Sequence, residues 1–216
     1  MAQASPPRAS RSVAGHAHGR VPRAVRVEQL LEIAKRLFAA RGYHATSIEE
    51  IARSAGVTRP IVYEHFGSKD GVYLACLRRA REQLDEVIAA AAGSGGDPGE
   101  QLWRGINAYF EFIERDAPAW DVLFGPGAAV SGAAAKEVTR LRFATVERIA
   151  RLIAPNVPEA DLEAVEAFAH ALSGSGEQLA KWWRENGHLS REQVAVYHMS
   201  FAWLGLRELI ARGGEQ

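Results

Sequence analysis

The chain has 216 residues, of which 47% are hydrophobic and 24% are charged, and its formal net charge is zero. This length suits one large domain or a small domain joined to a larger one, and the neutral charge argues against a generic nucleic-acid binder. No apolar run approaches the ~20 residues that cross a bilayer, the N-terminal arginines precede no apolar signal segment, and the lone Cys76 excludes an internal disulfide. We therefore expect a cytoplasmic protein.

The charge is unevenly distributed along the chain. Residues 1–70 contain 11 Lys and Arg against 6 Asp and Glu, and the remaining residues contain 15 against 20. An electropositive end on an acidic body suits a protein that binds DNA through a small element. Residues 1–25 contain no acidic residue and are predicted to form a disordered basic arm. The arm either follows the DNA backbone or minor groove or has no role.

The spacing of apolar residues predicts helices along the rest of the chain. In the N-terminal part, Gly42 and Gly56 end the first two helices, and Ser47 with Glu50 has the spacing of a capping box. A Gly-Pro-rich stretch at 93–99 separates this part from the helices that follow, and Ser190 with Gln193 gives a second capping box. No strand-like alternation occurs, so the predicted fold is all-α. The predicted helices cover about 27–41, 47–55, 58–65, 68 onward, 100–115, 117–124, 133–153, 159–185 and 191–211.

Residues 48–63 have the pattern of a helix-turn-helix, in which the second helix fits the major groove of DNA. Ala52 is small enough for the two helices to approach, Gly56 permits the turn, and Val57 and Ile61 are expected to fill the corner. The polar side chains left on the outside are those of Thr58, Arg59, Tyr63 and His65.

The same segment resembles the DNA-binding signature of TetR/AcrR-type repressors. The resemblance rests on residues 42–48 (GYHATSI), 51–52 (IA), 55–58 (AGVT), 63–66 (YEHF) and 68–69 (SK), and it covers about residues 27–75. It implies a helix-turn-helix domain at 26–75 and a helical ligand-binding and dimerisation domain at 76–216. Many members carry glycine where this chain has Pro60, which stiffens the start of the recognition helix.

The resemblance also implies roles for the matching positions. Arg59 would read base edges together with Thr58, and Tyr63 and Lys69 would contact phosphates. Packing is the alternative role for Tyr63 and His65. The implied DNA-binding residues are Thr46, Ser47, Thr58, Arg59, Pro60, Tyr63, His65 and Lys69.

The last two predicted helices are apolar on more than one side, so each needs two neighbours. One neighbour is the core of the body, and the other is expected to be a second subunit in a two-fold homodimer. Such a dimer reads a palindromic operator with half-sites roughly 34–36 Å apart. A thick monomeric core is the alternative. The predicted interface contains Ala167, Ala171, Gly174, Ser175, Phe201, Trp203 and Leu206.

The resemblance further implies a cavity for an apolar or aromatic effector that releases a repressor from its operator. A regulator without a small-molecule effector is one alternative. An enzyme is another, but the sequence has no nucleophile elbow, phosphate loop or paired-histidine metal motif, so we predict no catalytic residue, cofactor or metal. The candidate ligand-binding residues are Trp103, Phe110, Trp120, Phe124, Phe143, His170 and Trp182, for which plain core packing is the alternative.

Overall fold

The computed structural model describes residues 21–125, 134–157 and 162–212, and it contains no strand within these ranges. The all-α prediction is therefore confirmed. A short 3-10 turn, Ala154–Asn156, follows the seventh helix. The helices are α1 (Arg23–Ala45), α2 (Ile48–Ser54), α3 (Arg59–Phe66), α4 (Lys69–Ala92), α5 (Pro98–Arg115), α6 (Ala117–Phe124), α7 (Ala134–Ile153), α8 (Leu162–Glu185) and α9 (Arg191–Arg212).

The predicted boundaries differ from the structure mainly at the N-terminus. Helix α1 begins at Arg23, so the last residues of the predicted disordered arm are helical, and positions 1–20 of that arm lie outside the described residues. Positions 133 and 159–161, where two body helices were predicted to begin, also lie outside them. At Gly42 the backbone takes a positive φ of 77°, which ends the regular part of α1 before a short turn. This is the position at which the sequence predicted the helix to stop.

Local capping and one tight turn form the helix-turn-helix. The Ser47 hydroxyl accepts a hydrogen bond from the Glu50 amide at 3.1 Å, which satisfies a free amide at the start of α2. After α2, Gly56 has a φ of 65°, and the Val57 amide donates to the Ala52 carbonyl at 3.0 Å. Val62, rather than the predicted Ile61, is the fully buried residue of α3, whereas Ile61 is half-buried.

Helix α4 joins the two parts of the molecule without a break. It packs against α1 and α3 at one end and against α5, α6 and α7 along the rest of its length. The predicted domain boundary between Ala75 and Cys76 falls within this helix. Its buried residues belong to one apolar core that continues from the helix-turn-helix into the body. We call residues 26–75 the head and residues 76–216 the body.

A second connection between head and body is ionic. Lys35 on α1 is 8% exposed, and its ammonium lies 2.7 Å and 2.9 Å from the two carboxylate oxygens of Asp116. Asp116 caps α6 by accepting a hydrogen bond from the Ala119 amide at 3.1 Å. The pair therefore fixes the start of α6 against α1.

In the body, α5 packs against α4 and α9, and α8 packs against α7 and α9. The Ser190–Gln193 capping box forms with both bonds at the start of α9, at 2.8 Å and 3.2 Å. Gly205 lets α9 approach α8 closely, because a Cβ at that position would lie 2.9 Å from the Phe168 ring. Within the described ranges, no helix is both long and apolar enough to cross a membrane.

Candidate functional site

The outward side of α3 carries polar side chains that project into solvent. Thr58 occupies the N-cap position, but its side chain makes no capping bond, so the hydroxyl is free to contact another molecule. The Arg59 side chain is 64% exposed, and its guanidinium lies 4.0 Å from the Glu49 carboxylate. Pro60 is exposed in the first turn, and Tyr63 is 49% exposed. These four residues form one continuous surface, because they occupy the first two turns of one short helix.

A positive charge, that of Lys69, lies at the start of α4. The Lys69 ammonium donates to the His44 carbonyl at 3.2 Å and lies 4.4 Å above the Tyr43 ring. Tyr43 packs against Phe38 and Tyr73. Burial, followed by a hydrogen bond to Asp70, raises the pKa of the Tyr43 phenol to about 12, so the ring stays neutral beneath the lysine.

The other predicted DNA-binding residues have different environments. Thr46 is 1% exposed, and its hydroxyl donates to the Gly42 carbonyl at 2.9 Å. A buried hydroxyl with a protein partner cannot meet a phosphate, so the expectation for the Thr46 side chain is corrected to a structural role. Ser47 is exposed but occupied as the α2 cap. His65 is half-buried, and its Nδ1 atom is buried without a hydrogen-bond partner in the described part of the chain.

A cavity of about 100 Å³ lies in the body between helices α4 to α9. Its wall is mainly apolar, with Leu102 and Ile106 from α5 and Ile149 from α7. Ile88 and Ala92 on α4 also line it. The cavity therefore touches the helix whose opposite end packs against the head.

A polar group lies in this apolar wall. His198 on α9 is 3% exposed, and its Nε2 atom lies 3.0 Å from the hydroxyl of Ser175 on α8. Burial lowers the pKa of His198 to about 4, although a backbone hydrogen bond to Leu172 opposes the shift. On the same wall, the Tyr109 hydroxyl accepts a hydrogen bond from the Trp120 indole at 2.9 Å. Both His198 and Tyr109 line the cavity.

The outward faces of α8 and α9 form an exposed surface that is rich in small and apolar residues. We call it the outer α8–α9 face. Its large side chains include Phe201 and Leu204, which are 61% and 59% exposed. A contiguous exposed apolar face of this kind is typical of interaction surfaces. Its members are Ala167, Ala171, Gly174, Trp182, Val196, Tyr197, Phe201 and Leu204.

Two family models match this chain, one over the head and one over the body. Residues 30–76 match the model described as bacterial regulatory proteins of the tetR family, and residues 98–205 match a tetracyclin repressor-like C-terminal domain. The chain belongs to the TetR family. It is therefore a DNA-binding transcriptional regulator, and catalysis is not the function of this family.

Individual TetR-family relatives cover almost the whole chain. The HTH-type transcriptional activator FasR of Mycolicibacterium smegmatis is 32% identical over 91% of this chain and 90% of its own length. A TetR-like regulator from Rhodococcus sp. RHA1 has a solved structure that is 33% identical, with a TM-score of 0.71 over 87% of this chain and 99% of that one. The structure of AibR in complex with isovaleryl coenzyme A and operator DNA is 20% identical, with a TM-score of 0.66 over 82% of this chain and 97% of the AibR chain. This likeness shows only that the two proteins share a fold.

Most of the predicted ligand-binding residues do not line this cavity. Phe124 lines it, but Phe110 and Trp120 are 0% and 1% exposed and pack in the core outside it. Phe143 is 54% exposed, and its ring is 6.0 Å from that of His170 on the outside of the body. Of the remaining two, Trp103 is half-buried outside the cavity and Trp182 lies on the outer α8–α9 face.

Three of the predicted interface residues make contacts inside the body. Leu206 is 3% exposed and lines the cavity, and Trp203 is half-buried and lies 3.2 Å from an idealised Cβ at Gly99. Ser175 points inward to His198. Ala167, Ala171, Gly174 and Phe201 remain on the outer face.

Sequence reasoning missed the polar residues of the cavity. One signal for His198 was available, because Val194, Ala202 and Leu206 are spaced around it on the buried side of α9. A histidine at the centre of such a stripe is a polar group in an apolar environment. Tyr109 gave no comparable signal, since its neighbours along α5 are also aromatic.

Proposed function

We propose that this regulator binds a palindromic operator as a homodimer and leaves the operator when a small apolar effector occupies the body cavity. The observation that carries the proposal is the outward polar surface of α3, which the packing of α1, α2 and α3 holds on the outside of the head. Arg59 offers a planar guanidinium suited to guanine edges, and its weak 4.0 Å pairing with Glu49 leaves it free to turn toward DNA. Lys69 and Tyr63 lie where phosphate contacts would orient the helix.

The dimer is supported by the outer α8–α9 face. Val196, Tyr197, Phe201 and Leu204 are between 45% and 61% exposed, and they follow the 3.6-residue period of one side of α9. Small residues on the neighbouring side of α8, namely Ala167, Ala171 and Gly174, would allow helices of a second subunit to approach closely. A two-fold axis through this face would present the two α3 helices to the same duplex.

Effector control is supported by the position of the cavity on α4. This helix has 24 residues, so it is roughly 36 Å long, and it runs from the cavity wall at Ile88 to the head at Val72. A cavity of about 100 Å³ is smaller than most ligand pockets. A ligand that enlarges it would displace α4 and change the spacing of the two heads, which lowers operator affinity by the difference in ligand affinity between the two shapes.

The direction of regulation follows from where the operator lies. FasR is named an activator, whereas the resemblance in the head is to repressors. Release from DNA ends repression when the operator overlaps the promoter, and ends activation when it lies upstream. Both outcomes require the regulator to leave its operator when the effector binds.

Selection of bound duplexes from a random pool tests the operator. We expect an enriched sequence with dyad symmetry, and Arg59→Ala should relax the preference at one base pair per half-site by about 1–3 kcal/mol. Lys69→Ala and Tyr63→Phe should weaken binding to all sequences, and Lys69→Ala should also lower the salt slope by about 1. An enriched pool without symmetry, or a Lys69→Ala variant with the wild-type salt slope, would contradict the proposed interface.

The dimer is tested separately by placing a charge on the outer α8–α9 face. Leu204→Arg should give a monomer in analytical ultracentrifugation, because an arginine there would be buried in the interface without a partner. Glu86→Arg, on an exposed part of α4 away from that face, is the matched control and should leave the dimer intact. A Leu204→Arg protein that sediments as the wild type would place the interface elsewhere.

A further inference from the structure

His198, which lines the cavity, has a hydrogen-bond acceptor that the described residues leave unused. The Ser175 hydroxyl lies 3.1 Å from the Leu172 carbonyl, which can only accept, so Ser175 donates to it. His198 Nε2 lies 3.0 Å from the same hydroxyl, and we assign to it the hydrogen that it donates to the Ser175 oxygen. This tautomer leaves a lone pair on His198 Nδ1, which is buried and has no partner among the described residues.

The ring of Tyr109, which carries a hydrogen-bond donor, lies near the ring of His198. The Tyr109 oxygen accepts from the Trp120 indole, and no described residue accepts the hydrogen of the Tyr109 hydroxyl. Gly176 brings both rings to the same point on α8, since an idealised Cβ there would lie 3.1 Å from His198 Cε1 and 3.5 Å from Tyr109 Cε1. Leaving a buried polar atom unpaired costs roughly 1–3 kcal/mol, so a ligand that satisfies both groups gains affinity from them.

The charges around the cavity disfavour an anionic ligand. None of the described lining residues is a lysine or arginine, and the lining carboxylate is that of Glu177, which pairs with Lys181 at 2.5 Å. Behind the wall, the buried Arg81 bonds to the lining residue Thr145 and pairs with Asp85 at 2.9 Å, while its Nη2 atom has no hydrogen-bond partner among the described residues. Because burial keeps His198 neutral at physiological pH, it supplies no positive charge either.

The volume of the cavity is close to that needed by one ring, so a single-ring ligand would enlarge it only slightly. Its volume of about 100 Å³ is somewhat below that of a ~150 Å³ apolar cavity that accepts benzene. An uncharged ring with one polar substituent therefore fits the apolar part of the wall and can reach the polar part.

Taking the proposed effector control as given, we infer that the effector is an uncharged, hydroxyl-bearing compound of single-ring size whose hydroxyl donates to His198 Nδ1 and accepts from Tyr109. A hydroxyl matches both groups, because it donates one hydrogen bond and accepts others. A carboxylate offers acceptors only, and a hydrocarbon leaves both groups unpaired.

Calorimetric titration of the full-length protein without DNA tests this inference. The probes are phenol, toluene and benzoate, which share a ring and differ in the substituent. Phenol should bind about tenfold more tightly than toluene, although toluene is the more apolar molecule, and benzoate should bind more weakly than both. Toluene binding as tightly as phenol, tighter benzoate binding, or no binding of phenol would each overturn the inference.

Two variants separate the histidine from the general shape of the cavity. His198→Phe keeps a ring in place but removes the acceptor, so phenol should lose its tenfold advantage while toluene still binds. Ser173→Ala removes a hydroxyl from another part of the lining and is the matched control, which should keep the advantage. A retained advantage in His198→Phe would overturn the inference.

Nitrogen NMR of the wild-type protein avoids the need for a stable variant. The ¹⁵N resonance of His198 Nδ1 should move from the position of a free lone pair toward that of a hydrogen-bonded one when phenol binds, and should not move with toluene. An unchanged resonance with bound phenol contradicts the contact. Operator selection uses no ligand, so the test of DNA binding does not depend on these results.

Discussion

The ion pair between Lys35 and Asp116 joins the head to the body, and Asp116→Asn breaks it with little change in shape. Asparagine keeps an oxygen that can still accept from the Ala119 amide, 3.1 Å from the native carboxylate, so the cap of α6 is preserved. What is lost is the negative charge 2.7 Å from a lysine side chain that is only 10% exposed.

The size of the effect follows from what remains around Lys35. Removing one partner of a buried pair costs roughly 3–5 kcal/mol when the other charge is left alone. Here Glu32 stays 2.9 Å from the ammonium at 38% side-chain exposure. Although partial burial opposes it, the lysine holds the pKa of Glu32 below its usual value, so Glu32 remains charged and compensates in part. We therefore expect Asp116→Asn to destabilise the fold by about 2 kcal/mol, or ~4–8 °C in Tm.

A double-mutant cycle with Lys35→Met isolates the interaction. Lys35→Met alone should cost about 1 kcal/mol, since Asp116 at 29% side-chain exposure can be partly hydrated. The double variant should be more stable than the sum of the two single effects predicts by about 1–2 kcal/mol. Urea unfolding at one fixed protomer concentration measures each corner of the cycle.

The control for this cycle is a surface pair on the same helix. Arg36 lies 3.0 Å from Glu32 but is 70% exposed, so Arg36→Ala should change the unfolding free energy by no more than ~0.5 kcal/mol. Costs of Asp116→Asn and Lys35→Met that add within ~0.5 kcal/mol would refute the reasoning, because they would show that the two charges do not stabilise each other.

Three further measurements address single features of the fold. The pKa of His198 is about 4 in the folded protein and 6.5 in the unfolded chain, so the unfolded chain takes up the proton first as the pH falls. The free energy of unfolding should therefore decrease by about 2 kcal/mol between pH 7 and pH 5. In His198→Gln, the urea midpoint should no longer depend on pH in this way. Gly56→Ala should cost about 1 kcal/mol, because φ is 65° there, whereas Gly187→Ala, also in open space but without a positive φ, should cost less; equal shifts in midpoint would exclude backbone strain. Ser47→Ala should lower Tm by the equivalent of about 1 kcal/mol, because the cap of α2 is lost. Thr58→Ala should leave Tm unchanged, because the Thr58 side chain makes no capping bond. An equal decrease of Tm in both variants would contradict the capping argument.

Local signals in the sequence were sufficient for the head. Ser47, Gly42 and Gly56 act through bonds and torsions within a few residues of themselves, so their structural roles can be predicted without knowing what the chain packs against. The predicted limits of α5 and α6 were also close to those observed, although Pro98 lies in the first turn of α5 and not in the separating stretch. Thr46 and Ile61 were exceptions in the head. The burial of Thr46 depends on contacts with the end of α1, and Val62 is fully buried in place of Ile61.

The sequence by itself determined that the chain is all-helical, where most helices begin and end, and that its front carries a helix-turn-helix. Only the tertiary structure decided which apolar residues line the cavity, which ones form the core and which ones stay exposed, as Phe124, Phe110 and Phe143 illustrate. Helical periodicity places a side chain on one face of its own helix, but the neighbour of that face is set by the packing of several helices against one another. His198 and Tyr109 therefore became recognisable as a pair only when α5, α8 and α9 were seen together.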